Sequence, residues 1–215
     1  MSASGSLVIY GDSISGVTHG GGGFQKSLVD GLGIERVFNH AIPSSGLSGC
    51  CPDALVNLIQ NREVLHGDAS ILLVWHGTND WFWGAPIGDM DNPDAAAFLG
   101  SLVIVVETLR RICPHAAIVW PTPIWRYEKP DGCPHAGEAW ITKNKSGVTQ
   151  QDISKAIIEA SCRLCFAAPD MRRLSGIHAA SAGALLEDGV HPNAAGYLNI
   201  VRALISEMGR FNITG

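Results

Sequence analysis

The chain has 215 residues, enough for one domain spanning 1–215 to bury most of its apolar surface without disulfides or metals. It carries 15 Lys and Arg against 20 Asp and Glu, a net charge of -5, so no surplus of positive charge is left to neutralise phosphates and nucleic acid is excluded as a partner. No apolar run approaches the roughly 20 residues that span a bilayer, and the opening lacks the basic and apolar stretches of a secretory leader, so the chain reads as soluble, cytoplasmic and free of membrane insertion.

Hydrophobic residues make up 46% of the chain and charged residues 16%, which calls for elements covered on both faces. The first strand is Leu7 to Tyr10, followed by Gly11-Asp12-Ser13-Ile14. Gly20 to Gly23 lacks the Gly-Lys-Ser/Thr ending of a phosphate-cradling loop and reads as a flexible loop near the site edge. A helix from Phe24 to Leu32, a strand from Arg36 to Asn39 and the loop Ala41 to Gly49 follow. The neighbouring Cys50 and Cys51, two of six scattered cysteines, fit reduced thiols better than a disulfide framework. Next come a helix over Pro52 to Asn61, a strand over Ala69 to Trp75, the segment His76 to Trp83, a helix over Asp94 to Ile112 and a strand over Ala116 to Trp120. Trp125 to Thr149 is irregular and rich in Pro, Gly and Lys; it fits a lid or substrate-side loop as well as a plain surface insertion. A helix over Gln150 to Cys165, a weak strand over Leu164 to Ala168 and a last helix over Asn193 to Met208 close the pattern. This alternation predicts an α/β fold with a parallel sheet between two helical layers and a site at the carboxyl ends of the strands.

A serine hydroxyl attacks well only when a base takes its proton and a third group holds that base in the right tautomer. Ser13, after a strand and a glycine, sits where a tight turn exposes the hydroxyl; alone, Gly-Asp-Ser reads as a capped turn. Asp188 and His191, three positions apart, share one side of a helical turn, with Pro192 at the first position of the helix that follows. Asn79, in Gly77-Thr78-Asn79-Asp80, lies on the same edge, where its amide can donate to a developing oxyanion. The other histidines have no aspartate three positions before them; His76 is kept because it adjoins the Asn79 block. Cys162-Arg163-Leu164-Cys165 has metal-like spacing but no partner pair, so buried structural thiols are expected.

Taken together, Gly11-Asp12-Ser13-Ile14, Gly77-Thr78-Asn79-Asp80 and Asp188-Gly189-Val190-His191-Pro192 resemble the first, third and fifth blocks of the SGNH hydrolase superfamily, the GDSL esterases and lipases. The resemblance implies a flavodoxin-like three-layer α/β/α sandwich with about five parallel strands, and a serine esterase needing neither metal nor cofactor. It implies Ser13 as nucleophile, His191 as base and Asp188 as its partner. The implied oxyanion hole comprises the Ser13 amide, the Asn79 side chain and a second-block amide. That block departs from Asn-x-Gly-x-x-Gly: it reads Asn39-His40-Ala41-Ile42-Pro43-Ser44, with Gly46 two places on, so the donor is Ser44 without a gap and Gly46 with one.

Asp12, His76, Trp81 and Trp83 are the pocket candidates, the tryptophans able to seat an acyl chain, stack on a sugar or meet another copy of the chain. The expected substrate is a small ester with a short acyl group, acetylated carbohydrates included, because no amphipathic membrane-binding segment is evident. A lysophospholipase or thioesterase activity stays open, as does a binding module that keeps the fold without catalysis.

Overall fold

A computed structural model describes residues 5–129 and 135–213. Four parallel strands, β1 (Ser6–Gly11), β2 (Arg36–Asn39), β3 (Ile71–Trp75) and β4 (Ala117–Val119), lie in the order β2-β1-β3-β4. Register runs Leu7 to Val37 on one side of β1 and Leu7 to Ile71 on the other. The order reverses between β1 and β3, and a doubly wound sheet opens a crevice at that point beyond its carboxyl ends.

Alternation along the strands divides the core in two. Val8, Tyr10, Leu72, Val74, Ile118 and Trp120 face one way, packed on α2 (Leu55–Gln60), α4 (Phe98–Ile112) and α5 (Gln150–Leu164). Leu7, Ile9, Ile71, Leu73 and Val119 face the other, against α1 (Gln25–Leu32) and α8 (Ala194–Arg210). Side chains such as Leu28 and Leu204 are wholly buried there, each worth about 1.5–3 kcal/mol. The result is an α/β/α sandwich.

The sequence predicts about five strands and the sheet has four. The fifth is reduced to one parallel bridge, Val119 to Ala167. Cys165 turns left-handed at φ 55, and Pro169 has a carbonyl to offer Thr122 but no amide, so a ladder cannot extend past Ala167. Short helices supply what the apolar pattern left out: α3 (Thr78–Trp83), α6 (Met171–Leu174) and α7 (Ala182–Leu185). The stretch expected to be irregular, 125–149, contains an antiparallel ribbon of β5 (Tyr127–Glu128) and β6 (Gly137–Glu138). Cys162 and Cys165 are exposed rather than buried, because the apolar stripe of α5 faces the core from Ile153, Ala156, Ile157 and Ala160. Cys50 and Cys51 are free thiols. Among the described residues no helix is long and apolar enough to cross a membrane.

Candidate active site

Ser13 leaves β1 through Gly11, whose missing side chain is required: a Cβ there would lie 2.3 Å from Ser15 Oγ. The amides of Ser15 and Gly16 both bond the Asp12 carbonyl, closing a turn that leaves Ser13 half-buried at the strand end. Ser13 Oγ lies 2.8 Å from His191 Nε2, and His191 Nδ1 lies 2.7 Å from Asp188 Oδ2.

The Asp188 to His191 pair does not lie in the helical turn that its spacing predicts. It occupies a tight loop closed by the antiparallel bridge of Leu186 with Pro192, and Glu187 N–H donates to the His191 carbonyl at 2.8 Å. Gly189 at φ 95 breaks any helix there. Asp188 Oδ1 accepts the amides of Val190 and His191 at 2.9 and 2.8 Å, leaving Oδ2 for the ring. Partial burial works against the Asp188 charge, but the His191 amide and ring and the Val190 amide outweigh it and hold the carboxyl below its ordinary pKa. Pro192 precedes the cap: Asn193 caps α8 through a bond from the Gly196 amide, 3.1 Å.

Asn79 lies in the first turn of α3, entered through Gly77 at φ 130. This short helix clamps the second-block loop at three points. Asn79 Nδ2 donates to the Ser45 carbonyl at 2.9 Å, the Asp80 carboxylate accepts the Leu47 and Ser48 amides at 3.0 and 2.9 Å, and Trp83 Nε1 donates to the Ser44 carbonyl at 2.8 Å. Asp80 is thus a structural acid holding the loop in place.

A cleft of about 350 Å³ brings together Ser13, His191, Asp188, Asn79 and Ser44, walled by Phe82 and Trp83. Arg126, Tyr127, Glu128 and Lys129, from the stretch read as lid or substrate-side loop, line the same cleft. Ser44 holds φ 65, the left-handed region where a glycine is favoured. Gly46 does not line the cleft; it packs behind, and a Cβ there would lie 2.5 Å from Cys51 Sγ.

Of the pocket candidates, Trp83 alone lines this cleft. Trp81 is fully buried in the core, its Nε1 donating to the Thr142 carbonyl at 2.8 Å, because residues two apart on a helix point to nearly opposite sides. Asp12 and His76 line a small enclosed hollow beneath the site, with Ile14, Trp75 and Thr78. Burial pushes Asp12 up to about 7, against the Ile14 amide that its Oδ1 accepts at 2.9 Å. Burial also pushes His76 down to about 4, opposed by the charge of Asp80. Both groups are therefore poorly placed to meet substrate.

Arg126 is the site residue that sequence patterns did not single out. Its Nη1 donates to Asn79 Oδ1 at 3.0 Å and to Thr78 O and Oγ1 at 3.2 Å, and its guanidinium pairs with Glu128 over the rings of Phe82 and Trp81. A guanidinium offers no acceptor, so it can face only the oxygen of the Asn79 amide and thereby fixes which way that amide points.

A search of curated proteins found no match. Among solved structures, the fold is shared with a protein from Lactobacillus plantarum at TM-score 0.84 and 22% identity, covering 98% of this chain and 99% of that one. A protein described as a GDSL-like lipase from Bacteroides ovatus superposes at TM-score 0.69 and 12% identity, covering 97% and 99%. A variant of an acetyl-xylooligosaccharide esterase from Geobacillus stearmophilus superposes at 0.62 and 17%, covering 97% of each chain. These superpositions establish a common architecture. In sequence, residues 9–198 match the GDSL-like lipase/acylhydrolase family, from the middle of β1 into α8, so the chain belongs to that family and is a carboxylic ester hydrolase.

Proposed function

We propose that the protein cleaves short acyl esters by a serine mechanism. Ser13 attacks the ester carbonyl while His191 takes its proton, and Asp188 orients the imidazole and stabilises the imidazolium. The oxyanion is met by the Ser13 and Ser44 amides and the Asn79 side chain. His191 then protonates the leaving alcohol, and water attacks the acyl-enzyme by the reverse proton path. The observation that carries this reading is the continuous relay Ser13 to His191 to Asp188, 2.8 and 2.7 Å, opening on the cleft that Asn79 lines.

The acyl side favoured is small. Beside Phe82 and Trp83 the cleft is lined by Arg126, Tyr127, Glu128 and Lys129, a polar and charged set that suits a hydroxyl-rich leaving group such as a carbohydrate better than a long hydrocarbon. The fold likeness to an acetyl-xylooligosaccharide esterase supports the same direction.

A p-nitrophenyl ester series from acetate to decanoate tests both parts, with Ser13→Ala as control. Turnover should fall with chain length, and Ser13→Ala should abolish it and prevent labelling by a fluorophosphonate while leaving the fold intact. Undiminished turnover in Ser13→Ala overturns the mechanism; a preference for decanoate overturns the substrate class.

A further inference from the structure

The imidazole of His19 lies flat on that of His191, with centroids 3.8 Å apart and planes 10° apart. His19 is itself anchored. Its Nδ1 lies 2.7 Å from Glu187 Oε2, and Glu187 Oε1 accepts the Gly20 amide at 2.8 Å. The glycine run expected to be a flexible loop is a closed turn at its two ends: the amides of Gly22 and Gly23 bond the His19 carbonyl at 3.1 and 2.8 Å. Gly20 turns left-handed at φ 57, with its Cβ direction running into the Tyr197 ring at 2.3 Å, so a side chain there would push the turn off α8. Two consecutive carboxylates therefore hold two stacked rings, Glu187 holding His19 and Asp188 holding His191.

The need for a second restraint comes from the reaction. In the free protein His191 is held at both ends, by Ser13 and by Asp188. In the acyl-enzyme Ser13 Oγ is esterified and has no proton to share, which leaves the ring held by Asp188 at one edge and free to swing about that bond. We propose that His19 is a positioning residue that keeps the His191 ring in plane through the acyl-enzyme stage, when it must direct a water at the ester. This inference rests on the roles proposed for Ser13 and His191. Deacylation is the step that depends on it, since acylation begins with both hydrogen bonds in place.

The experiment compares His19→Ala, His19→Phe and Glu187→Gln on p-nitrophenyl acetate, with His191→Ala as control. In His19→Ala, kcat should fall roughly tenfold, less than the roughly 10²-fold that a 1 Å misplacement can cost, because Asp188 still holds one edge of the ring. KM should fall with it, kcat/KM should hold within about threefold, and the pre-steady-state burst should grow toward one equivalent. His19→Phe keeps a flat ring and should restore kcat to within about threefold. Glu187→Gln should fall between the two, and its loss should overlap with that of His19→Ala when the two are combined. Wild-type kcat in His19→Ala beside an inactive His191→Ala overturns the inference alone. So does His19→Phe as impaired as His19→Ala, or a kcat loss matched by an equal loss in kcat/KM. Normal turnover by His191→Ala overturns the parent mechanism, and the inference falls with it.

Discussion

Replacing Arg126 by methionine keeps an unbranched stem over the rings of Trp81 and Phe82 while removing every donor that Arg126 supplies. The stability cost follows from burial: the side chains of Arg126 and Glu128 are 6% and 15% exposed, and removing one partner of such a pair costs about 3–5 kcal/mol because the other charge is left unpaired. A domain is stable by only about 5–15 kcal/mol, so the single variant should be marginal. Arg126→Met with Glu128→Gln removes both charges and should return most of that loss. The catalytic effect is separate. An oxyanion donor is worth roughly 3 kcal/mol, or about 10²–10³ in kcat, and Asn79→Ala sets this upper bound. Without the guanidinium on its Oδ1, the Asn79 amide keeps only the Ser45 carbonyl to orient it, so the double variant should lose roughly 10- to 100-fold in kcat. Urea unfolding gives the first quantity and p-nitrophenyl acetate kinetics the second. Wild-type kcat in the double variant refutes the reasoning, as does a loss that adds fully to that of Asn79→Ala, because Arg126 would then act somewhere other than on that amide.

Asp188→Asn should keep the loop, since an amide oxygen still accepts the Val190 and His191 amides, yet present the wrong partner to His191 Nδ1; kcat should fall by about 10² or more with little change in melting temperature. Two buried groups shape the pH dependence of stability with opposite signs. Asp12, raised from 3.8 to about 7, binds more protons folded than unfolded across that window, so its contribution falls as pH rises. His76, lowered from 6.5 to about 4, binds fewer protons folded, so its contribution rises with pH and opposes Asp12 between about 4 and 6.5. Asp12→Asn should therefore gain stability relative to wild type from pH 4 to pH 7, and a difference in urea unfolding that is constant with pH counts against it. Ser44→Gly relieves about 1 kcal/mol of left-handed strain and adds a similar unfolded-chain entropy, so the melting temperature should barely move and activity should persist if the donor is a backbone amide. A tenfold loss of kcat in Ser44→Gly would show that the Ser44 hydroxyl takes part.

Ser13 and Asn79 were legible because each is a polar residue in a short motif just after an apolar strand run, and the alternation of runs places those ends on one edge; Asp188 and His191 were legible from their spacing ahead of the last helical pattern. The misreadings have local causes. Three positions between Asp188 and His191 match a helix face, and nothing in Gly189 alone says that it takes φ 95. Three aromatics in a row look like one surface, but on α3 Trp81 points into the core while Trp83 reaches the Ser44 carbonyl. The fifth strand carries apolar residues and fails because of a left-handed Cys165 and the missing amide of Pro169. Arg126 had no signal, because its partner Asn79 is 47 positions away and nothing around Arg126 has a period.

Arg126 also explains why a loop of little regularity lies where it does. Its neighbour Tyr127 donates its amide to the Gly189 carbonyl at 3.0 Å, at the tip of the loop that carries Asp188 and His191. The approach is close enough that a Cβ on Gly189 would lie 2.9 Å from the Tyr127 carbonyl oxygen, so the loop tip must be glycine. Arg126 meanwhile holds Asn79 from the side opposite the Ser45 carbonyl. Adjacent residues at the start of β5 thus touch both halves of the site, Tyr127 meeting the loop of Asp188 and His191 through a backbone bond and Arg126, just before the strand, meeting Asn79 through a buried guanidinium. These two halves come from sequence segments more than a hundred positions apart, and the parallel sheet fixes only where β1 and β3 end. Arg126 and Tyr127 therefore tie Asn79 to the loop of His191 at the rim of the cleft, in addition to the sheet.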